Sequence, residues 1–362
     1  MKKMFLIENN KRSRIGVSGI LSCVLALSLC LCACDLPFGK QEEKQAAITE
    51  AEDVTGEMPT IIVHSQESFA EDVTEEEKAA AMQETEAAEA AEGISNEPPA
   101  ATVIDKLACE PGAEVYLDPG WEYASFSKIH DGCAIFYAAT ENRCGLVVGV
   151  NAGHGTKGGT EVKTFCHPDQ SPKVTGGATA AGSIEAVAVS SGMTFTDGTP
   201  EAKVTLRLAQ YLRDALLAAG YDVLMIRDGD DVQLDNVART VICNNVADCH
   251  VSIHFDGDGQ SSDKGIFFAS VPDKIKSMQP VEATWHMSEE LGAQIIKALA
   301  NDGYKICNGG SMDLDLTQTS YSTIPSVDVE YGNQCTDISD ENLKAMAAAT
   351  VKGIDAFFDV SN

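Results

Sequence analysis

The chain has 362 residues and a formal net charge of −29, more than one average domain needs but not clearly enough for two large ones. The charge is uneven, at +4 over residues 1–34, −16 over 35–105 and −17 over the remainder. No basic footprint stands out anywhere, which excludes a nucleic-acid-binding protein of the usual electropositive kind.

In chain order, Lys2, Lys3, Lys11, Arg12 and Arg14 precede an apolar stretch over residues 15–33 that ends in small residues, the layout of an export signal. The run Leu31-Cys32-Ala33-Cys34 resembles a bacterial lipobox, in which Cys34 would carry the lipid and become the mature N-terminus. The other reading is an uncleaved membrane anchor, since the stretch is close to spanning length. Either way the rest of the chain is expected outside the cytoplasm. A lipid anchor would hold it on the outer face of the cell membrane.

Twelve cysteines are present, four of them in the signal. The other eight are Cys109, Cys133, Cys144, Cys166, Cys243, Cys249, Cys307 and Cys335. An even number in an oxidising compartment permits disulfides without fixing their pairing. No C-x-x-C pair occurs, which argues against a cysteine-ligated structural zinc.

Residues 35–105 are rich in Glu, Ala, Thr and Gln and poor in aromatics, so they cannot bury enough apolar surface to offset chain entropy. They read as a disordered acidic tether whose function is reach. Residues 106–145 carry Tyr116, Trp121, Tyr123, Phe126, Phe136 and Tyr137, and read as a small β-rich extension packed on the C-terminal domain.

From residue 146 onward strands and helices alternate. Short apolar runs predict strands over residues 146–150, 221–226, 249–255, 265–269 and 325–330. Thr199-Pro200-Glu201 predicts a helix start, with Thr199 as cap and Pro200 in the first helical position. Val204, Leu208, Leu212, Ala215 and Ala219 then share one face, and Gly220 ends the helix. Further helices are predicted over 234–245, 285–300 (burying Met287, Leu291, Ile295 and Leu299) and 340–358. The alternation predicts an α/β fold, a three-layer sandwich with a central mixed, mostly parallel twisted sheet flanked by helices.

Sites in such folds gather beyond the carboxyl ends of the strands. His154, in Asn151-Ala152-Gly153-His154-Gly155, directly follows the first predicted strand; His254 and Glu330 end two others; Glu201 opens a helix. Two imidazoles and a carboxylate make a catalytic zinc set, three protein ligands leaving a fourth position for water. A further glutamate beside the metal can take a proton and return it to a leaving amine. Singly, each residue has a plainer role: a turn histidine, a carboxylate favoured by the helix dipole, a satisfied strand-end histidine, a glutamate paired with a base. Spacing alone leaves both readings open.

Taken together, the pieces from residue 146 to the C-terminus resemble the zinc-dependent N-acetylmuramoyl-L-alanine amidases of the cell-wall hydrolase type. The resemblance rests on Val148-Gly149-Val150-Asn151-Ala152-Gly153-His154-Gly155, and on Glu201 with its helix and Ala219-Gly220-Tyr221-Asp222-Val223. It continues through Arg227-Asp228, Leu234, Arg239, Asn244, Ala247-Asp248, Ser252-Ile253-His254, Pro325 and Val329-Glu330-Tyr331-Gly332-Asn333. It implies one Zn2+ held by His154, Glu201 and His254, Glu330 as the catalytic glutamate, and peptidoglycan as substrate, cut between N-acetylmuramic acid and L-alanine. Two other functions stay open: a non-catalytic wall-binding lipoprotein that keeps the fold, and a zinc amidase or peptidase with another substrate.

Three features depart from the family pattern. Asn151 stands where Asp is usual, and an Asp there is expected to support the first ligand. Residues 160–198, with Cys166-His167 and Glu185, form a longer connection, expected to grip substrate or cover the zinc. Phe255-Asp256-Gly257 replaces small polar residues and is expected to narrow the cleft. Among rival ligands, His250 shares a strand face with His254 but lies roughly 13 Å away at the usual rise. His167 with Cys166 is a weaker rival site, and Glu185 lacks the helix that follows Glu201. Arg239 is expected to anchor a buried acceptor rather than touch substrate.

Overall fold

The computed structural model describes residues 110–359. The export signal with Cys34, the acidic tether and Cys109 lie outside the described residues.

The strands are β1 (Glu114–Tyr116), β2 (Cys133–Tyr137), β3 (Val147–Ala152), β4 (Lys163–Phe165), β5 (Glu185–Val187), β6 (Asp222–Met225), β7 (Cys249–Asp256), β8 (Ile266–Ser270), β9 (Ile306–Asp313) and β10 (Ser326–Asn333). The helices are α1 (Glu201–Ala218), α2 (Asn236–Val246), α3 (Val281–Asn301), α4 (Thr317–Ser320) and α5 (Asp340–Phe358). Eight strands form one sheet in the order β1-β2-β6-β3-β7-β10-β8-β9, and β4 and β5 pair separately. The central strands β6, β3, β7 and β10 are parallel, β1, β2 and β8 join antiparallel, and β9 runs parallel to β8. The sheet is mixed, mostly parallel and flanked by helices, as the alternation of elements predicts.

The alternation of side chains decides which face does what. On one face Val148, Val150 and Ala152 of β3, Val251 and Ile253 of β7, and Val327 and Val329 of β10 pack against α1, α3 and α5. Helix α1 presents Val204, Leu208, Leu212 and Leu216, so the buried stripe continues through Leu216 rather than Ala215 and Ala219. Gly220 ends it with φ +96°, and a Cβ there would lie 2.2 Å from the Asn142 carbonyl oxygen, which requires glycine. On the opposite face β3, β7 and β10 carry Asn151, then Ser252 and His254, then Asp328 and Glu330, in matched register. This polar row leads toward the strands' carboxyl ends. Helix α2 covers the neighbouring part of that face with Val237, Val241 and Ile242.

Several boundaries shift for local reasons. Pro200 is extended (φ −65°, ψ 141°) and serves as the cap position, so Glu201, not Pro200, is the first helical residue. Asp235 caps α2 by accepting from the Ala238 amide at 2.8 Å, which starts that helix at Asn236 rather than 234. Helix α3 begins at Val281, after Pro280, and buries Thr284 and Ser288 in its first turns where Met287 was expected. Strand β9 is absent from the prediction because Gly309 and Gly310, both at positive φ, make its sequence read as a loop. Residues 110–145 supply β1 and β2 as an edge of the same sheet through the β2–β6 pairing. The seven described cysteines are all free thiols, so none of the disulfides their number permitted forms among them.

Candidate metal centre

The carboxyl ends of β3 and β7 deliver the two imidazoles. His154 lies just beyond β3 in a left-handed turn with φ +65°, between Gly153 and Gly155. A Cβ at Gly153 would lie 2.3 Å from the His254 ring, so glycine there lets the second imidazole seat against the turn. The rings meet edge to face, with centroids 4.6 Å apart. Glu201, buried at the start of α1, points its carboxylate between them.

Three donor atoms converge. His154 Nε2 is 2.9 Å from Glu201 Oε1, His254 Nδ1 is 3.1 Å from His154 Nε2, and His254 Nδ1 is 3.3 Å from Glu201 Oε1. Zinc bonds of about 2.0–2.1 Å in a tetrahedron separate ligand atoms by about 3.3 Å. The triangle therefore matches three corners of such a site, slightly contracted. No other cluster of three His, Cys, Asp or Glu side chains among the described residues is arranged to hold an ion.

Neighbouring groups fix the orientation of two of the three donors. His154 Nδ1 faces the Ser190 carbonyl at 2.9 Å. That oxygen only accepts, so the ring proton sits on Nδ1 and the Nε2 lone pair points inward. Glu201 Oε2 accepts from the Met193 amide at 2.8 Å and Oε1 from the Phe255 amide at 3.0 Å. Gly192, between Ser190 and Met193, packs so closely that a Cβ would meet both His154 and Glu201. Burial raises the proton affinity of Glu201, but its hydrogen bonds with His154 and His254 outweigh this and hold the carboxyl well below the usual range. Burial opposes charge on His254, yet the carboxylates of Asp328, Glu201 and Glu330 prevail and push its pKa up to about 10.

Glu330 is the register partner of His254 on the adjacent strand β10. Its Oε2 is buried without a hydrogen-bond partner. Burial, with the nearby carboxylates Asp328 and Glu201, raises its proton affinity well above an ordinary glutamate's, against the charge of His254. Asp328, two residues earlier, places Oδ2 3.7 Å from His254 Nε2. Sequence reasoning did not single out Asp328, although its place in the alternation of β10 put it on the same face as Glu330.

The other candidates sit elsewhere. Buried His250 bonds Ser326 Oγ through Nδ1 at 3.3 Å, and burial with the charge of Arg239 lowers its pKa to about 3. Buried His167 bonds Asp315 at 2.9 Å and Ser171 at 2.8 Å, in a cluster separate from the triangle. Glu185 is exposed on β5. Arg239 anchors acceptors, as expected: it donates to the carbonyls of Ala152 (3.1 Å) and His154 (2.7 Å) and to Asn151 Oδ1 (3.1 Å). Asn151 thus supports Arg239 and, through Nδ2, Ser252 (2.8 Å), and its amide makes no hydrogen bond to the His154 ring. Support of that ring comes instead from Ser190.

The triangle opens into a cavity of about 670 Å³. Residues of the 160–198 connection, including Lys173, Gly176, Thr179 and Ser190, line it together with Glu330. Asp315 fastens this connection by accepting from His167 and from the Val174 amide (2.6 Å), and its carbonyl accepts from Lys173. Phe255 turns into the apolar core against Phe195, while Asp256, paired with Lys264, and Gly257 form part of the cavity wall.

An α/β sheet that gathers two imidazoles and a carboxylate around one point at its carboxyl edge has the form of a mononuclear metal site. The chain belongs to the N-acetylmuramoyl-L-alanine amidase family, whose profile matches residues 148–356. Among solved structures it is similar to the N-acetylmuramyl-L-alanine amidase Ami1 from Mycobacterium smegmatis, at 24% identity over 61% of this chain and 100% of that one, with TM-score 0.50. It is also similar to the apo form of Ami1 from Mycobacterium abscessus (23% identity, 59% of this chain, 99% of that one, TM-score 0.49). A third similar structure is the amidase AmiC2 of Nostoc punctiforme (21%, 59% and 97%, TM-score 0.42). No curated protein matches.

Proposed function

We propose that this chain is a zinc-dependent peptidoglycan amidase that hydrolyses the bond between the lactyl group of N-acetylmuramic acid and L-alanine. The observation that carries the reading is the donor triangle of His154, Glu201 and His254 with the unpartnered Glu330 carboxylate alongside. The donor set suits zinc: two imidazole nitrogens and one carboxylate oxygen, with edges of 2.9–3.3 Å. When bound, zinc supplies a Lewis acid for the amide carbonyl and makes water a stronger nucleophile at neutral pH.

The chain's own residues do the rest. Ser190 and the amides of Met193 and Phe255 hold two ligands in place before substrate arrives. Glu330 accepts a proton from the attacking water and hands it to the departing alanine nitrogen. Its buried Oε2 makes no hydrogen bond that would hold it away from that proton transfer. Residues of the 160–198 connection line the cavity and limit the approach of bulk water from their side. Lipidation at Cys34 and a place on the outer face of the membrane belong to the same proposal and are supported by the sequence of the signal.

The test is digestion of defined muropeptides by the purified protein, followed by identification of the new amine terminus. L-Alanine is the expected new terminus, with zinc present at one ion per chain by mass spectrometry. A new terminus at any other residue assigns a different amide. Wild-type protein that takes up no zinc overturns the mechanism.

A further inference from the structure

The two imidazoles turn different nitrogens toward the metal position. His154 offers Nε2 and His254 offers Nδ1. With Nδ1 committed inward, His254 carries its proton on Nε2, on the far side of the ring, where it needs an acceptor. Among the described residues no hydrogen bond reaches that nitrogen, and the carboxylate beside it is Asp328, Oδ2 at 3.7 Å.

Asp328 is placed for nothing else. It is only 8% exposed, and its Oδ1 is buried without a hydrogen-bond partner. Its neighbours in the same row are already committed. Asn151 serves Arg239 and Ser252, and Ser252 serves Asn151 and Gln318. Asn151, Ser252 and Asp328 are register partners across β3, β7 and β10, so this level of the sheet carries one carboxylate, and it stands next to His254. A shift of about 0.8 Å brings Oδ2 to ordinary hydrogen-bond distance of the ring nitrogen.

We infer that Asp328 is a positioning residue that accepts the Nε2 proton of His254 and thereby fixes the tautomer, orientation and donor strength of this zinc ligand. The inference rests on the zinc reading given above. A carboxylate on the far nitrogen of a ligating histidine holds the ring at one angle and raises its basicity toward the metal. His154 has only neutral partners in the same role, the carbonyl (2.9 Å) and hydroxyl (3.2 Å) of Ser190. The two histidines are therefore unequal ligands, and His254 is the one whose strength depends on a charged neighbour.

Zinc affinity of the metal-free full chain, measured by competition with a chelating dye, tests this together with the variants D328N and D328L. Asn keeps an acceptor without the charge and Leu removes both. The expected order is wild type tightest, D328N weaker and D328L weakest, with losses within the roughly 10–100-fold range for such partners. A second measurement needs no variant. In zinc-loaded wild type with nitrogen-15 histidine, the His254 ring proton is expected on Nε2 in the NMR spectrum. Equal affinity of folded D328N, or a proton on Nδ1, overturns the assignment of Asp328 and leaves the zinc reading intact. Wild-type protein without zinc affinity overturns both.

Discussion

Gly192 is the position at which the smallest change should do the most to the metal centre. It has φ +78°, and a Cβ there would lie 2.7 Å from His154 Cδ2, 2.8 Å from Glu201 Oε2 and 2.9 Å from His154 Nε2. Ordinary contact begins at 3.4 Å, so Gly192→Ala must push two ligands by about half an ångström or more. Metal sites tolerate about 0.2 Å in ligand distances. The left-handed backbone adds about 1–2 kcal/mol of strain for alanine. Gly182 separates the two effects, because it has φ +86° and nothing within 4 Å of a Cβ. Gly182→Ala should thus show the strain alone, a fall in Tm of a few degrees for a chain of this size, with zinc affinity unchanged. Gly192→Ala should lose a similar amount of stability in the metal-free form and, in addition, roughly 100-fold in zinc affinity. Chelator competition and thermal unfolding of metal-free and zinc-loaded protein read both quantities. If Gly192→Ala holds zinc as tightly as Gly182→Ala, the packing of this glycine does not shape the ligand triangle.

Glu330→Gln preserves the shape of the side chain but cannot take a proton, so kcat should fall by roughly 10²–10⁴-fold with zinc content unchanged; wild-type kcat would remove Glu330 from the mechanism. Asn151→Asp should give buried Arg239, whose pKa burial and the charge of Arg227 lower to about 9, a counter-charge at a contact now 3.1 Å long, which outweighs the loss of the amide donor to Ser252. A gain of about 1 kcal/mol or more in urea unfolding is expected, and a loss of stability would refute the role assigned to that pair. Asp315 bears on acid stability: burial raises its proton affinity, but hydrogen bonds from His167 and the Val174 amide, with the charges of His167 and Lys173, leave its pKa below the ordinary 3.8. A depressed carboxylate stabilises the fold above its unfolded pKa and loses that contribution as pH falls through its folded value. Asp315→Asn should therefore lower Tm at neutral pH and flatten its fall below about pH 4; parallel curves for both proteins would refute the argument.

Side-chain signals were legible in the sequence, and backbone signals were not. His154, Glu201, His254 and Glu330 stand at strand ends or at a helix start, where a sheet of this class presents its residues, but it was their match to the amidase pattern, not their spacing alone, that singled them out. Helix α5 was predicted with its observed bounds, Asp340–Phe358, since its start and its stripe of Leu343, Met346 and Ile354 agree. The support of the ligands was harder to see. Ser190 acts through its carbonyl, Met193 and Phe255 through their amides, and Gly192 through the absence of a side chain. No residue type announces such work. Asn151 is a different case. The family pattern has Asp there, expected to support the first ligand; in this chain the Asn151 amide reaches Arg239 and Ser252, and Arg239 in turn donates to the His154 carbonyl. Asp328 lies between these cases. The alternation Ser326-Val327-Asp328-Val329-Glu330 places it on the face of Glu330, yet its relation to His254 needs the register of β10 on β7, which is a property of the folded sheet. The candidate metal centre thus divides by origin: its candidate ligands come from motifs at the ends of elements, while the groups beside them come from strand register and from a loop that acts through its backbone.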